Sequence, residues 1–407
     1  MNNIKKISDS YLCSGCGSCN AICGHNAINI KKTNTMGLLH AEVDLTKCTD
    51  CGLCIKMCPS SEILKEKENV STEQIVGNVE SCYVGRASDK DVFTNAQSGG
   101  MVTAILAYLF DQKLIDAAVS CRMEYASPVP SVHYNILTDK RELNKNQKSC
   151  YTQVDIVSAL KETSNFKSVA VVGVPCHIQG ISRLMSLRKF SNISYRIGLI
   201  CDKTYAHTYM DAIIHGVKKP KGDILINFRK KNFTYDGIYH SYQQAPTVLI
   251  NKDNEMTVVP NSKRMFLKDY FAVPKCKICW DKLNTLADIV LGDPWGLKGQ
   301  YNENEGDSVI IVRTIKGLDL LNRIKEDRLI MVKSINTTEV VEGQLVYRRV
   351  RDIRSFDFNA IAREWKFREG KSKKKILFET NKEYKIANLK NHIVRCLQHL
   401  RNIVKNR

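Results

Sequence analysis

The feature that most constrains this chain is the arrangement of its cysteines. There are sixteen, and eight of them lie in the first 58 residues. They run Cys13-x2-Cys16-x2-Cys19-x3-Cys23 and then Cys48-x2-Cys51-x2-Cys54-x3-Cys58-Pro59, a duplication with a period of 35 residues. A disulfide framework needs an exported chain. The opening Met-Asn-Asn-Ile-Lys-Lys leads into polar residues with no apolar stretch behind it, so a cytoplasmic location is expected. In a reducing compartment, clustered cysteines bind metal or do redox chemistry. Thiolates at this spacing suit iron–sulfur clusters: the first three wrap one core in a tight loop, and the fourth, a helical turn on, points to the other core. One 4Fe–4S cluster is therefore assigned to Cys13, Cys16, Cys19 and Cys58, and a second to Cys48, Cys51, Cys54 and Cys23. Small residues in the loops (Ser14, Gly15, Gly17, Ser18, Gly52) let backbone N–H groups approach the sulfides. The competing reading is a pair of structural zinc sites, for which this doubled spacing is not ordinary. Gly24 stands where proline usually follows the fourth cysteine; ligation does not need that proline.

The duplicated segment reads as an α+β ferredoxin-like module over residues 1–60, with short strands at Ala27–Ile30 and Leu38–Val43 around the turn residues Asn34–Gly37. Residues 61–79 are polar and read as a linker. From 80 to 350, short apolar runs alternate with longer helical patterns. Ile115–Ser120, Val132–Leu137, Ser168–Gly173, Ile193–Cys201, Ala287–Gly292 and Val309–Arg313 read as strands. Gly100–Asp111, His177–Arg188, Tyr205–Val217 and Gly317–Glu326 read as helices. Strands alternating with helices make a larger α/β domain. With 407 residues, 43% of them hydrophobic and 25% charged, the chain can bury a real core, and whole-chain disorder is excluded. No apolar run approaches the roughly 20 residues that span a bilayer.

Residues 351–407 read as a basic helical tail. Of the +19 net charge, more than half falls here: 14 basic against 4 acidic residues from Ile361 onward. Ile386, Leu389, Ile393, Cys396, Leu400 and Ile403 repeat at spacings of three and four, one apolar stripe on a basic helix. Such a helix docks on its own domain or on a partner, or contacts anionic lipid at a membrane surface. The charge also raises a zinc-bearing nucleic-acid binder as a reading. Its concentration in the tail and the lack of any nucleic-acid-binding motif argue against that, and no nucleic-acid partner is expected.

Four more cysteines fall in suggestive places. Cys176 follows the strand Val169–Gly173, Cys201 ends another, and Cys276-x2-Cys279 precedes the strand Ala287–Leu291. Strand carboxyl ends line ligand crevices in α/β sheets. These four thiols could hold a third cluster; alternatively Cys176 and Cys201 are inert and the Cys-x2-Cys pair is a zinc or redox site. Cys82, Cys121, Cys150 and Cys396 have no such setting and read as ordinary thiols. In Gln97-Ser98-Gly99-Gly100-Met101-Val102-Thr103, two glycines open an apolar helix. A helix N-terminus with glycine favours a close-approaching anion such as a flavin pyrophosphate, although any helix needs a cap. No Gly-x-Gly-x-x-Gly after a strand and no P-loop is present, so a Rossmann nicotinamide site or an ATPase is unsupported.

Taken in order, Ser98-Gly99-Gly100-x2-Thr103, Gly173-x-Pro175-Cys176, Cys201-Asp202-Lys203, Phe228-Arg229-x-Lys231, Cys276-x2-Cys279-x-Asp281 and Ala287-Asp288-Ile289-x2-Gly292-Asp293-x-Trp295 resemble the family of the coenzyme F420 hydrogenase/dehydrogenase beta subunit. The likeness runs from about residue 80 to 350, and members often carry a ferredoxin module ahead of it. It implies that the larger α/β domain is flavin-binding, with FAD near Ser98, Gly99, Gly100 and Thr103. It implies a third 4Fe–4S cluster at Cys176, Cys201, Cys276 and Cys279. The implied activity is electron transfer between iron–sulfur centres and a two-electron acceptor, coenzyme F420 or another small molecule, with ferredoxin or another redox protein as partner. A relay subunit docked on a separate catalytic subunit is the alternative. Two departures stand out. Relatives tend to carry Ser-Lys-Tyr-Val-Gln-Ser where this chain has Ser149-Cys150-Tyr151-Thr152-Gln153-Val154, and His177 replaces a common glutamine. Lys203 and Arg229 either pair with flavin phosphate or a substrate anion, or are surface charges.

Overall fold

The computed structural model describes residues 2–242, 245–297 and 305–405; beyond Asn391, side chains are described only for Ile393 and Gln398. The N-terminal region is a ferredoxin-like hairpin with cysteine loops around it. Strands β1 (Ile28–Lys32) and β2 (Leu39–Val43) pair antiparallel, Ile30 against Ala41. Their inward residues Ile28 and Ala41 join Ile4, Ile7, Leu12 and Ile63 in a small core that also takes in Cys13, Cys19, Cys54 and Cys58.

The larger α/β domain is built on eight strands: β3 (Ser81–Ala87), β4 (Ala117–Glu124), β5 (Ser131–Leu137), β6 (Val169–Gly173), β7 (Ile193–Leu199), and, after the insertion described next, β13 (Ile289–Gly292), β14 (Ser308–Val312) and β15 (Ile330–Ile335). Between β7 and β13 the chain inserts a small meander, β8 (Ile224–Asn227), β11 (Thr247–Asn251) and β12 (Met256–Val259), with the hairpin β9 (Phe233–Tyr235) and β10 (Ile238–His240). The main sheet runs β15-β3-β14-β13-β7-β6-β4-β5. Its four middle strands β13, β7, β6 and β4 are parallel, and the flanking pairings are antiparallel. β6 and β14 are buried along their whole length, as strands covered on both faces must be. The expected strands and helices in this domain all form. The sequence reading missed β3 and β15, which supply one edge, and the inserted meander.

Parallel order has a direct consequence for the site. β6 and β7 are neighbours that run the same way, Val172 beside Ile197. Cys176 and Cys201, each just past a carboxyl end, therefore emerge side by side. Helix Pro175–Ser186 starts with proline in its first turn, where no N–H is needed.

The polar segment 61–79 is a packed connector. It holds helices Ile63–Glu68 and Thr72–Val76, and Ile63, Val70 and Ile75 are fully buried. Beyond residue 345 the chain is helical: Val346–Ser355, Phe358–Glu369 and Lys373–Lys405. Trp365 and Ile376 are buried, and Tyr384 packs 6.0 Å from the Phe266 ring. The apolar stripe that follows is exposed where it is described: Ile386 46%, Leu389 60% and Ile393 51%. The side chains of Cys396, Leu400 and Ile403 lie outside the described residues. Among the described residues, no helix is long and apolar enough to cross a membrane.

Candidate functional site

The thiols of Cys13, Cys16, Cys19 and Cys58 line one cavity, with Ser14, Gly17, Ser18 and Pro59 completing much of its wall. The fourth cysteine of the second run therefore meets the first three of the first run, as the crossover spacing requires. Backbone N–H groups reach the sulfurs from short range: Gly15 to Cys13 and Ser60 to Cys58, both 3.4 Å. Burial, with Cys16 and Cys13 as neighbours, pushes the Cys58 thiol up to about 12. Thiols buried together resist ionisation until a cation balances them, the behaviour of a metal cage.

Cys48, Cys51 and Cys54 are close enough for the first two to raise Cys54, after burial, the larger cause. Cys54 in turn raises Cys19, so the two sets adjoin. Cys23 accepts the N–H of Ala27 at 3.4 Å and packs on the same small core as Cys54. Cys51 is exposed. Among the described residues, no three His, Cys, Asp or Glu side chains converge as a single metal ion requires.

The fold also gathers Cys176, Cys201, Cys276 and Cys279. Each of the last two and Cys176 raises Cys201, and Cys276 and Cys279 raise Cys176, burial being the larger cause in both. Cys16 adds to the shift of Cys176, so this third set lies against the first. Two cations serve it that the sequence reading passed over. Lys275, 2% exposed, donates to Cys279 Sγ at 3.4 Å. Burial opposes its charge, but Cys279, Cys176 and Cys276 outweigh burial and hold the ammonium well above its usual range. Arg349 donates to the carbonyls of Cys276 and Cys279 at 2.6 and 2.7 Å. Lys275 had a signal, being adjacent to Cys276; Arg349, 73 residues away from Cys276, had none.

The glycine turn and the Phe228-Arg229-x-Lys231 stretch meet. Lys231 Nζ donates to the Ser98 carbonyl at 2.9 Å, and Gln97 Nε2 to Asn227 Oδ1 at 3.3 Å. Burial and then Arg86 push Lys231 down to about 8. Arg229, 7% exposed, gives one nitrogen to Asp293 at 2.9 Å and lies 5.8 Å from the rings of Tyr242 and Trp295. Its Nε and Nη1 are buried without a hydrogen-bond partner among the described residues. Two buried cationic donors left over in this way suit an anion. The expected donors of the turn are otherwise occupied. Ser98 Oγ donates to the Asp307 carbonyl at 2.7 Å, and Gly99 N–H donates to Ser308 Oγ at 3.0 Å. A Cβ on Gly99 would lie 2.5 Å from the Gly85 carbonyl, so the glycine serves close packing of the helix start on β3. Gly100 caps the helix Met101–Asp111 in the left-handed region, and Thr103 is buried on it.

Two further expectations are resolved by geometry. Lys203 is half-buried and pairs with Asp269 at 2.8 Å, so its charge is matched within the chain. His177 is buried, with Nε2 2.8 Å from the Val154 carbonyl and Nδ1 accepting from Val174 N–H at 3.3 Å. Burial lowers it to about 4. Both nitrogens are spent on holding the turn, which is a structural role.

A paired-cluster cysteine module packed against a mixed α/β domain with a third thiol set defines an iron–sulfur protein. Residues 12–61 match the profile of the 4Fe-4S dicluster domain. Residues 82–161 and 166–338 match the N-terminal and C-terminal halves of the coenzyme F420 hydrogenase/dehydrogenase beta subunit. The chain belongs to that family. It is 26% identical over 378 residues to a subunit of the F(420)H(2) dehydrogenase of Methanosarcina mazei, covering 90% of this chain and 97% of the relative. It is 25% identical over 343 residues to the coenzyme F420-dependent sulfite reductase of Methanocaldococcus jannaschii, covering 79% of this chain and 47% of that longer protein. A chain in the F420-reducing [NiFe] hydrogenase complex of Methanosarcina barkeri shares the fold, with a TM-score of 0.52 at 20% identity over 68% of this chain and 89% of that one.

Proposed function

We propose that this chain is a cytoplasmic iron–sulfur flavoprotein oxidoreductase. It would pass electrons from ferredoxin or another redox protein, through 4Fe–4S clusters and FAD, to a two-electron acceptor, coenzyme F420 or another small molecule. Cys13, Cys16, Cys19 and Cys58 would hold the first cluster, Cys48, Cys51, Cys54 and Cys23 the second, and Cys176, Cys201, Cys276 and Cys279 the third. The observation that carries the reading is the gathering of the third thiol set around Lys275, against the first set. A flavin, when bound, converts single electrons into a two-electron transfer.

The chain's own residues would set the terms. Lys275 and Arg349 neutralise and fix the Cys276–Cys279 turn. Arg229 and Lys231 would receive the flavin phosphates, with Gly100 and Thr103 in the wall and Ser98 and Gly99 holding the turn in place. The +19 net charge favours an acidic redox partner by electrostatic steering.

The test is anaerobic purification with iron, sulfide and flavin quantified. About twelve irons and one FAD per chain support the reading, at four irons per cubane. About eight irons and no flavin refute it in favour of a relay subunit, with no substrate chemistry of its own. That second reading has one specific support: the relative matched along 97% of its length is named as a subunit of a dehydrogenase.

A further inference from the structure

Cys121 and Cys150 read from sequence as ordinary thiols, 29 residues apart. The fold sets them sulfur to sulfur at 3.7 Å. Cys121 lies on β4 across from Tyr134 of β5. Cys150 lies in the loop that runs into Tyr151, and it is 5% exposed while Cys121 is half-buried. None of the cluster thiols is among the groups that perturb either one, so the pair stands apart from the iron–sulfur positions.

Two cysteines that merely fill space as small hydrophobes need not touch through sulfur. Here each comes from a different element, and less than about 2 Å of approach separates them from a bonded length of about 2.05 Å. They are also unequal. Cys121 is half-buried and open to a small reagent, whereas Cys150 is 5% exposed and lies behind it. An attacking thiol and a resolving thiol differ in this way.

We propose that Cys121 and Cys150 form a reversible thiol–disulfide couple, a two-electron redox site separate from the three cluster sets. Its oxidant is a small organic disulfide. The Cys121 thiolate attacks one sulfur of that disulfide and expels one thiolate, forming a mixed disulfide. Cys150 loses its proton, attacks the Cys121 sulfur and expels the second thiolate. Two cysteine thiols and one small disulfide thus become the intramolecular disulfide and two small thiols; a small dithiol reverses the exchange. Closure ties β4 to a loop with contacts in both directions. Ser149 N–H donates to Gln97 Oε1 at 3.1 Å, beside the glycine turn, and Gln153 Nε2 donates to the Ser14 carbonyl at 2.8 Å, in the first cysteine loop. The couple would therefore stiffen the segment that joins the surroundings of Arg229 to the iron–sulfur module.

The test uses the cluster-loaded full chain under anaerobic conditions. It is equilibrated in buffers of reduced and oxidised dithiothreitol, quenched in acid, alkylated and mapped by mass spectrometry. The expected result is a single linked peptide pair, Cys121 to Cys150, that appears with a two-electron dependence on the buffer ratio while Cys82 stays alkylated throughout. Both cysteines alkylated across the whole range, or Cys150 linked to any other cysteine, overturns the proposal. In a Cys150→Ser variant treated instead with oxidised glutathione, a disulfide of a monothiol, Cys121 is expected to stop at the mixed disulfide. Should that variant not fold, the wild-type map alone decides.

Discussion

Lys275 is a buried cation bonded to a thiol that the third cluster would use, so replacing it reads directly on that cluster. Lys275→Met keeps a side chain of similar length and removes one positive charge, 3.4 Å from Cys279 Sγ. An electron added to a cluster spreads over the whole core, so the mean charge separation is longer, on the order of 6 Å. At an effective dielectric constant of about 20, one charge pair at that distance is worth about 3 kcal/mol. For a one-electron couple this converts to about 120 mV, and the sign is fixed: losing a positive charge disfavours the reduced cluster and lowers its potential. Cys58 also feels Lys275, more weakly than Cys279 does. The first cluster should therefore fall by a smaller amount and the second hardly at all. The assay is an anaerobic redox titration followed by electron paramagnetic resonance, on wild type, Lys275→Met and Lys275→Arg. The arginine variant keeps the charge and should restore most of the potential. If no midpoint moves by more than about 30 mV, or if one rises, the electrostatic reasoning fails.

Three other outcomes follow from particular contacts. Arg229→Met removes the buried guanidinium, two of whose nitrogens have no hydrogen-bond partner among the described residues, and the purified protein should lose most of its flavin while keeping its iron; retained flavin would remove Arg229 from the site. Gly99→Ala forces a Cβ to 2.5 Å from the Gly85 carbonyl and 2.8 Å from Ser308 N; overpacking of this kind costs about 1–3 kcal/mol, readable in chemical denaturation. Lys263, 3% exposed, is lowered to about 8 by burial and then by Lys385. Below its folded pKa the buried charge is a burden, and between about pH 8 and 10.5 only the unfolded chain still holds the proton, so stability should rise with pH across that window. Lys263→Met should flatten the rise, as measured by denaturant midpoints.

How far the sequence spoke depends on the range over which each constraint acts. The cysteine spacing is local, so the meeting of Cys58 with Cys13, Cys16 and Cys19 was legible before any fold. The parallel strands β6 and β7 were legible as apolar runs, and with them the positions of Cys176 and Cys201. What was not legible is set by contacts between distant residues. Arg349 reaches the Cys276 carbonyl across 73 residues, and nothing in its neighbourhood in sequence marks it. The glycine turn misled in a specific way. A glycine at a helix start is required equally by an approaching anion and by tight packing on a strand, and only the fold shows Gly99 against Gly85. β3 was missed because Ser81–Ala87 mixes polar and small residues, a weak strand pattern that pairing on both sides rescues.

The polar stretch after Cys58 invites a picture of an electron-transfer module on a tether. The contacts argue for the opposite. The larger domain grips both cysteine runs by their backbone: Val157 N–H donates to the Cys16 carbonyl at 3.0 Å, and Arg183 Nη1 to the Cys58 carbonyl at 2.6 Å. Arg183 lies on the same helix as Cys176, so one rigid element holds a ligand position of the third set and the backbone of the first. Gly17 adopts φ 92°, and a Cβ there would lie 2.4 Å from Ser158 Oγ. That glycine is thus demanded twice, by the loop's left-handed turn and by the domain pressed against it. Trp280, just past Cys279, donates to Glu66 of the connector at 2.8 Å and closes the far side. A swinging module would need these contacts to break at each turnover. Hydrogen bonds aimed at the cysteine loops instead hold the first and third thiol sets in one fixed arrangement, the arrangement that the proposed one-electron transfer between them would need.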